Sequence, residues 1–394
     1  MIAARTVPRN VVTNSKLMHV LTLTPFFPSA DDDGAGCFVA EPLPWIQQFG
    51  ISNTVIAAQP FYRDTRARKS SAHVHWAPFF AIPSNAGLPS AGRFLYSNIV
   101  RRVRAIHCSD PVALIHAHSA LPCGHAAALL KHELGIPFVV SVHGLDAYSD
   151  RQAGRFIGGL CARVSRWVYN SARCVICVSK KVEDGVRERT AGNARTEVVY
   201  NGVDSELFSP AQNQGETLLS IGNLTPIKNH ELLLRAFAAV SANFPNLRCE
   251  IIGDGPERRR LEGLTDRLNL TGRISFLGKQ TRIQVAEAIR RCAVFALPSC
   301  YEALGCVYLE AMACGKPVVA CRGQGIAELI EHGSNGWLVG SDSLDEMVSA
   351  LNLLLGNAEL RDRIGRAART TMVNGFTLEH QAGRLAEIYR KCVA

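Results

Sequence analysis

No run of about 18 uncharged apolar residues occurs in the 394-residue chain, which argues against a membrane-spanning helix. The opening "MIAARTVPRNVVTNSK" has basic residues but no apolar core of the signal-peptide kind, so secretion is not expected. Aromatic residues make up only 7% of the chain and do not interleave with the basic ones as base-stacking platforms would, which speaks against nucleic-acid binding. Repeats of solenoid period and low-complexity tracts are also absent. Evenly spaced loop cysteines are missing too. The 13 cysteines, an odd number, are scattered through apolar segments, as suits reduced, buried thiols of a cytoplasmic protein. Cys174 and Cys177 in "CVICVS" lie three apart in a strand-like run and so point to opposite faces; a working CxxC pair is not expected there.

What is present reads as an ordinary globular protein, 47% hydrophobic and 20% charged, and too long for one core, so two domains of similar size are expected. The net charge of +9 lies entirely in residues 1–201, with 22 basic against 13 acidic residues, while the remainder has 21 of each. A basic first half suits an anionic membrane surface or a phosphate-bearing substrate, and "RFLYSNIVRRVR" is its densest stretch. The plainer reading of that stretch is a solvated helix face. Cytoplasmic residence, with peripheral contact at the inner face of the plasma membrane, follows as an expectation.

Short β-branched runs alternate with helical stretches, the pattern of parallel sheets with crossover helices. The first series runs "HVLTLT", "NTVIAAQ", "HVHWAPF", "ALIHAHS", "PFVVSVHG", "CVICVS", "EVVYNG"; the second runs "TLLSIGN", "RCEIIGDG", "RISFLG", "AVFALPS", "PVVACRG", "GWLVG". Between them, "NGVDSELFSPAQNQGE" reads as a linker. The expected fold is α/β, with two doubly wound Rossmann-like domains facing across a ligand cleft. Residues 1–203 would form the first domain, residues 204–375 the second, and residues 376–394 a helix crossing back onto the first.

The densest chemistry sits in "SCYEALGCVYLEAMACGKPVVA". A strand gives way to a loop, and a helix begins near Gly305, whose lack of a side chain permits close approach of a ligand. Amides around Gly305, Cys306 and Val307 would suit a phosphate. Glu302 stays in the loop while Glu310 lies further along the helix, so the two carboxylates address different parts of one ligand. A glycosidase acid and base pair would need its carboxylates across a single bond, which one short loop and helix beside an anion site does not favour. Taken alone, Glu302 as a helix cap and Glu310 as a solvated residue would be the plain structural alternative.

This segment resembles the donor-binding signature of the retaining glycosyltransferases of family four, which have the two-domain GT-B fold. The shared features are Glu, seven residues, Glu, with "EAMA" at the second. "IGNLTPIKNHELLLRAF" is similar to the family's phosphate segment, "IIGDGPERRRLE" and "RISFLG" follow it in the usual order, and "VVYNGVDSELFSP" and "SVHGLDAY" match upstream, so the resemblance covers the chain from about residue 18. The resemblance implies transfer of a sugar from a nucleotide-diphosphate sugar, with retention, to a hydroxyl of a glycan or lipid-linked acceptor in envelope or exopolysaccharide synthesis. It implies no metal or other cofactor. Glu310 would hold ribose hydroxyls, Glu302 the donor sugar, and Lys228 the departing diphosphate. The amides after Leu304 would meet sugar and diphosphate, and the loops after Gly253 and Gly278 would border the base. His143 would contact the sugar near its anomeric centre, and Asp146 would orient loop or substrate.

Gly34 and Gly36 stand where the family has a glycine loop near the diphosphate. The neighbouring Asp31 to Asp33 would repel phosphate and are expected in solvent or toward the acceptor. One departure stands out. Where the family commonly carries Arg after the glycine of "IG", this chain has Asn223, which cannot give a charged, bidentate contact; Lys228, helix amides or Arg322 would have to substitute. Two decoys are set aside. His116, His118, Cys123 and His125 have the composition of a metal set but are not expected to bind zinc, and "GDGPERRRLE" lacks the third glycine of a dinucleotide fingerprint. Alternatives to transfer are a sugar-nucleotide epimerase of the same architecture and a non-catalytic subunit that binds nucleotide sugars.

Overall fold

The computed structural model describes residues 17–29, 32–61, 73–80, 87–144, 155–211 and 215–394. Seven parallel strands form the first sheet: β1 Met18–Thr24, β2 Ile51–Pro60, β3 Val74–Phe79, β4 Leu114–His118, β5 Phe138–Val142, β6 Cys174–Cys177 and β7 Thr196–Val198. Their order is β3-β2-β1-β4-β5-β6-β7. Around them lie α1 Cys37–Ala40, α2 Leu43–Gln48, α3 Leu88–Ser109, α4 His125–Leu134, α5 Arg155–Ser171 and α6 Lys180–Thr190. The six-stranded second sheet comprises β8 Thr217–Ile221, β9 Arg248–Ile252, β10 Ile274–Gly278, β11 Val294–Ala296, β12 Val318–Cys321 and β13 Trp337–Val339, ordered β10-β9-β8-β11-β12-β13. Its helices are α7 His230–Val240, α8 Arg258–Arg267, α9 Arg282–Arg291, α10 Cys306–Ala313, α11 Leu344–Gly356 and α12 Ala358–Gly375, and α13 Leu378–Val393 closes the chain.

Strands buried on both faces read as continuous apolar runs because helices cover each side. "FVVSV" of β5 is buried at every position. The two β6 cysteines show the alternation directly, with Cys174 in the cluster under α13 and Cys177 in the cluster under α4 and α6. All thirteen cysteines are free thiols. In "PCGHAAALLKHELG" the α-helix begins only at His125, because Ala120–Gly124 first makes a wider turn; it stops at Gly135, whose φ of 73° ends the helix in a left-handed residue.

In each sheet the strand order reverses next to the first strand, between β1 and β4 and between β8 and β11. Ligands of doubly wound sheets bind outside the strand ends at such points. Two chain crossings join the domains side by side: Val203 donates to the Phe376 carbonyl at 2.9 Å, and Leu378 donates back to Val203 at 3.2 Å. Gly202 is pressed so closely on Thr377 that a Cβ would lie 2.4 Å from its carbonyl oxygen. A Thr377 capping box then starts α13, which lies on the first sheet and buries Leu385, Ile388 and Tyr389 against Val20, Leu114 and Val139. Burying each such side chain is worth about 1.5–3 kcal/mol, enough to fasten the helix to the domain it returns to.

Candidate active site

The turn from β11 into α10 forms one wall. Gly305 precedes the helix at φ 85°, and a Cβ there would lie 2.6 Å from the Tyr308 ring and 3.0 Å from Glu302 Cγ. Glycine is therefore required both for the backbone angle and for the space. The first-turn amides of α10, including those of Cys306 and Val307, have no carbonyl four residues back and point out of the helix start, as an anion site needs. Tyr308 N–H is already given to Gly305 at 3.0 Å. Leu304 is only 1% exposed, so it offers a ligand its backbone and not its side chain. Cys306 Sγ accepts from Asn201 Nδ2 at 3.3 Å, and burial pushes its thiol up to about 12, which keeps it neutral.

Opposite that turn, the loop after β8 carries Asn223 and Lys228. Gly222 donates to Ile252 at 2.9 Å, Leu224 to Asp254 at 3.0 Å and Gly253 to Gly278 at 2.8 Å, so the loops after β8, β9 and β10 are zipped edge to edge. Gly253, at φ 132°, allows this approach: a Cβ would come 2.1 Å from the Gly222 oxygen. Asn223 is exposed at this rim. Lys228 Nζ donates to Glu302 Oε2, and both side chains are largely buried, 18% and 12% exposed. The two residues given separate tasks by the sequence are thus a single ion pair. Gln324 fixes its loop by accepting from Glu302 N at 2.9 Å and donating to the Cys300 carbonyl at 3.0 Å.

Glu310 is 3% exposed and far from solvated. One oxygen takes Arg282 Nη1, and the same guanidinium reaches Glu41 of the first domain through Nε at 3.0 Å and Nη2 at 2.7 Å. Burial disfavours the charge on Arg282, but Glu310 and Glu41 outweigh it and hold the group protonated. Burial also pushes the Glu41 carboxyl above its ordinary range despite the guanidinium beside it.

The acidic loop of the first domain is corrected here: among its described residues, Asp32 accepts from Lys279 at 2.8 Å, and Asp33 accepts the Arg282 backbone N–H at 3.2 Å with either oxygen. These carboxylates bridge to the second domain instead of facing solvent or acceptor, because the start of α9 presents them with free amides and positive charge. Arg322 is held by both Glu346 oxygens at 2.7 and 2.6 Å on an exposed face, so a diphosphate would have to exchange with Glu346 there.

His143 ends β5 at the cleft, half-buried against Phe38 with ring centroids 4.6 Å apart. Its Nε2 meets His118 Nδ1 at 2.8 Å, and burial lowers His143 to about 3, so the ring stays neutral. Next to it, a Cβ on Gly144 would lie 2.9 Å from Ala303 Cβ, which brings the two domains into contact at this point. Gly36, at φ 74°, starts α1 against the Phe26 and Phe27 backbone, where a Cβ would come within 2.4 Å. Asp146 lies outside the described residues. Of the metal-like set, His116 bonds Tyr389 at 2.6 Å and Ser141 at 2.7 Å, His125 packs on Trp167, and no metal-holding cluster occurs among the described residues.

Arg282, Glu41, Gln324 and Glu328 were not singled out by the sequence. Glu328 crosses the cleft to accept from the amides of Lys180 at 2.8 Å and Lys181 at 2.9 Å, at the start of α6. Arg282 did leave a signal. It follows the N-cap Thr281 of a capping box closed by Gln284, and a cation in the first helical turn opposes the macrodipole unless anions meet it.

Two facing doubly wound domains, with their switch points turned on a cleft that holds these carboxylates and an amide-lined helix start, define the GT-B class of glycosyltransferase fold. Sucrose-phosphate synthase from Thermosynechococcus elongatus superposes with a TM-score of 0.78 at 20% identity, covering 95% of this chain and 98% of that one. HepE from Anabaena, solved with UDP and glucose, gives 0.74 at 21% identity over 95% and 100% of the two chains. Residues 34–207 match the family described as Glycosyltransferase Family 4, and residues 206–371 match Glycosyl transferases group 1. An uncharacterized glycosyltransferase of Methanocaldococcus jannaschii is 32% identical over 261 residues, 65% of this chain and 69% of its own. The chain belongs to the family-four glycosyltransferases, and the epimerase and binding-subunit alternatives are not favoured.

Proposed function

We propose that the protein moves a sugar from a nucleotide-diphosphate sugar, with retention, to a hydroxyl of a glycan or lipid-linked acceptor. Residues 1–203 would serve the acceptor, residues 204–375 the donor, and residues 376–394 the return tie between them. The observation that carries this reading is Glu310: buried, in the second turn of α10, with its Oε2 lacking any hydrogen-bond partner among the described residues. An unpaired buried carboxylate oxygen is costly and suits a ligand hydroxyl, such as that of a ribose. The UDP bound by HepE, a fold neighbour, makes a UDP-sugar the first donor to test.

In this reading the diphosphate lies on the amides of α10 beside Lys228, and Glu302 turns to the donor sugar. The bond from the anomeric carbon to the diphosphate breaks while a bond to the acceptor oxygen forms on the same face. The acceptor's proton passes to the departing phosphate oxygen. Charge on the leaving group is met by Lys228 and the helix amides, and the closed cleft supplies positioning. His143, held neutral, contributes a hydrogen bond and not a charge. No step calls on a metal or other cofactor. The basic first half would bring the enzyme to an anionic membrane bearing the acceptor, at the cytoplasmic face, in envelope or exopolysaccharide synthesis.

Labelled UDP, GDP and ADP sugars, incubated with and without acceptor glycans, test the assignment. Transfer that requires acceptor supports it, whereas acceptor-independent release of an epimer would overturn it. Glu302→Gln is expected to lower turnover at least about a hundredfold with the fold intact, as loss of a charged contact in the transition state does. Full activity in that variant would remove Glu302 from the donor sugar.

A further inference from the structure

The guanidinium of Arg282 divides its hydrogen bonds between two domains. Nη1 goes to Glu310 in its own domain, while Nε and Nη2 both go to a single oxygen of Glu41 across the cleft. The group is 13% exposed and lies over the Phe208 ring at 4.7 Å, so it has little room to swing away. An arginine fork beside a carboxylate ordinarily engages both oxygens. Here Glu310 keeps one oxygen unpartnered, because Glu41 draws off the rest of the fork.

We propose that Arg282 is a positioning residue for the nucleotide: Glu41 pulls its fork across the cleft and thereby leaves the buried Glu310 Oε2 unpaired, to be met by a ribose hydroxyl, only when the domains close around the nucleotide. This rests on the reading of Glu310 as the ribose contact. Without Glu41 the fork closes on both oxygens of Glu310 and competes with the ribose. A residue that never touches the nucleotide thus controls its affinity, and a second substitution reverses the effect. Asp33 on the Arg282 amide and Asp32 on Lys279 hold the same edge of the cleft shut, so closure and the open oxygen arise together.

The test is calorimetric titration of the whole chain with UDP, GDP and ADP, using the tightest as probe, with circular dichroism to verify folding. Glu41→Ala is expected to weaken binding roughly tenfold or more, the value of one hydrogen bond to a charged acceptor. Glu41→Gln, which keeps the accepting oxygen, should stay within about threefold of the parent, since only the charge assistance is lost. Glu41→Ala combined with Arg282→Ala should recover most of the loss, which a merely structural role for Glu41 would not produce. Parental affinity in Glu41→Ala, or a double variant no better than the single one, overturns the proposal. Glu310→Ala separates the two readings. If it binds the probe as the parent does, the ribose assignment itself fails; if it weakens binding while Glu41→Ala does not, only the role of Arg282 fails.

Discussion

Asn223 stands where the resemblance to family four leads one to expect arginine, and placing a guanidinium there tests how the proposed diphosphate is held. The neighbours on both sides are pinned, Gly222 to Ile252 and Leu224 to Asp254, so the backbone at 223 is fixed whatever side chain it carries. The position is exposed at the rim, and the Lys228 stem passes beside Gly222, with its Cδ 3.7 Å from where a Cβ would stand. An arginine at 223 starts one residue from that contact and is long enough to reach the Lys228 loop end. Two charge-assisted hydrogen bonds to a diphosphate at about 1.5–3 kcal/mol each, less about 2 kcal/mol for ordering a long side chain, leave a net gain of about 1–4 kcal/mol. That corresponds to roughly 5- to 1,000-fold tighter binding of a nucleoside diphosphate in Asn223→Arg. Calorimetry at low and high salt is the assay. The gain should shrink with salt, because the site is exposed and screened, and should vanish with the bare nucleoside. An unchanged or weakened diphosphate affinity, or an equal gain for the nucleoside, would refute the placement of the diphosphate beside this loop.

Two further outcomes follow from buried groups. His116 is 2% exposed, bonded to Tyr389 and Ser141, and lowered by burial to about 3. The folded protein holds it neutral, so its contribution to stability is complete above its ordinary range near 6.5 and is lost as pH falls from there toward 3. At pH 5 this one group should cost about 2 kcal/mol, which denaturant unfolding at pH 7, 6 and 5 would detect; a flat profile would contradict it. Glu41 has the opposite sign. Its carboxyl is raised, mainly by burial, so its contribution is complete below 4.5 and is lost as pH rises through the raised value. Glu41→Gln should then melt no lower than the parent at pH 7, and the difference between them should close toward pH 4.5. A variant that melts well below the parent at neutral pH would mean that the bridge to Arg282 outweighs the burial cost.

Period and composition made the architecture legible. Each of the thirteen apolar runs became a strand in the order read, because buried parallel strands write themselves as continuous β-branched sequence. The turn at Gly305 was legible for a similar reason, as only glycine tolerates that angle beside Tyr308. What escaped were contacts between residues far apart in the chain. Asp32 and Asp33 meet Lys279 and Arg282 nearly 250 positions away, and local reading sent them to solvent because nothing nearby neutralises them. Gln324 left no trace, since its work is to bond the backbone of a neighbouring loop.

These long-range pairings alter the electrostatics of the cleft. A positive donor site suggests free cations awaiting phosphate, yet Lys228 is bound to Glu302, Arg282 to Glu310 and Glu41, Lys279 to Asp32, and Arg322 to Glu346. In the proposed reading, a diphosphate entering beside Lys228 would exchange with Glu302 rather than meet an unpaired charge. That exchange lowers the net gain in affinity, because one ionic partner replaces another. It would also release the Glu302 carboxylate as the leaving group arrives, next to the proposed donor sugar. Lys228 and Glu302 then act as one unit, so removing either strands its partner in a largely buried place, and their effects on turnover cannot be additive.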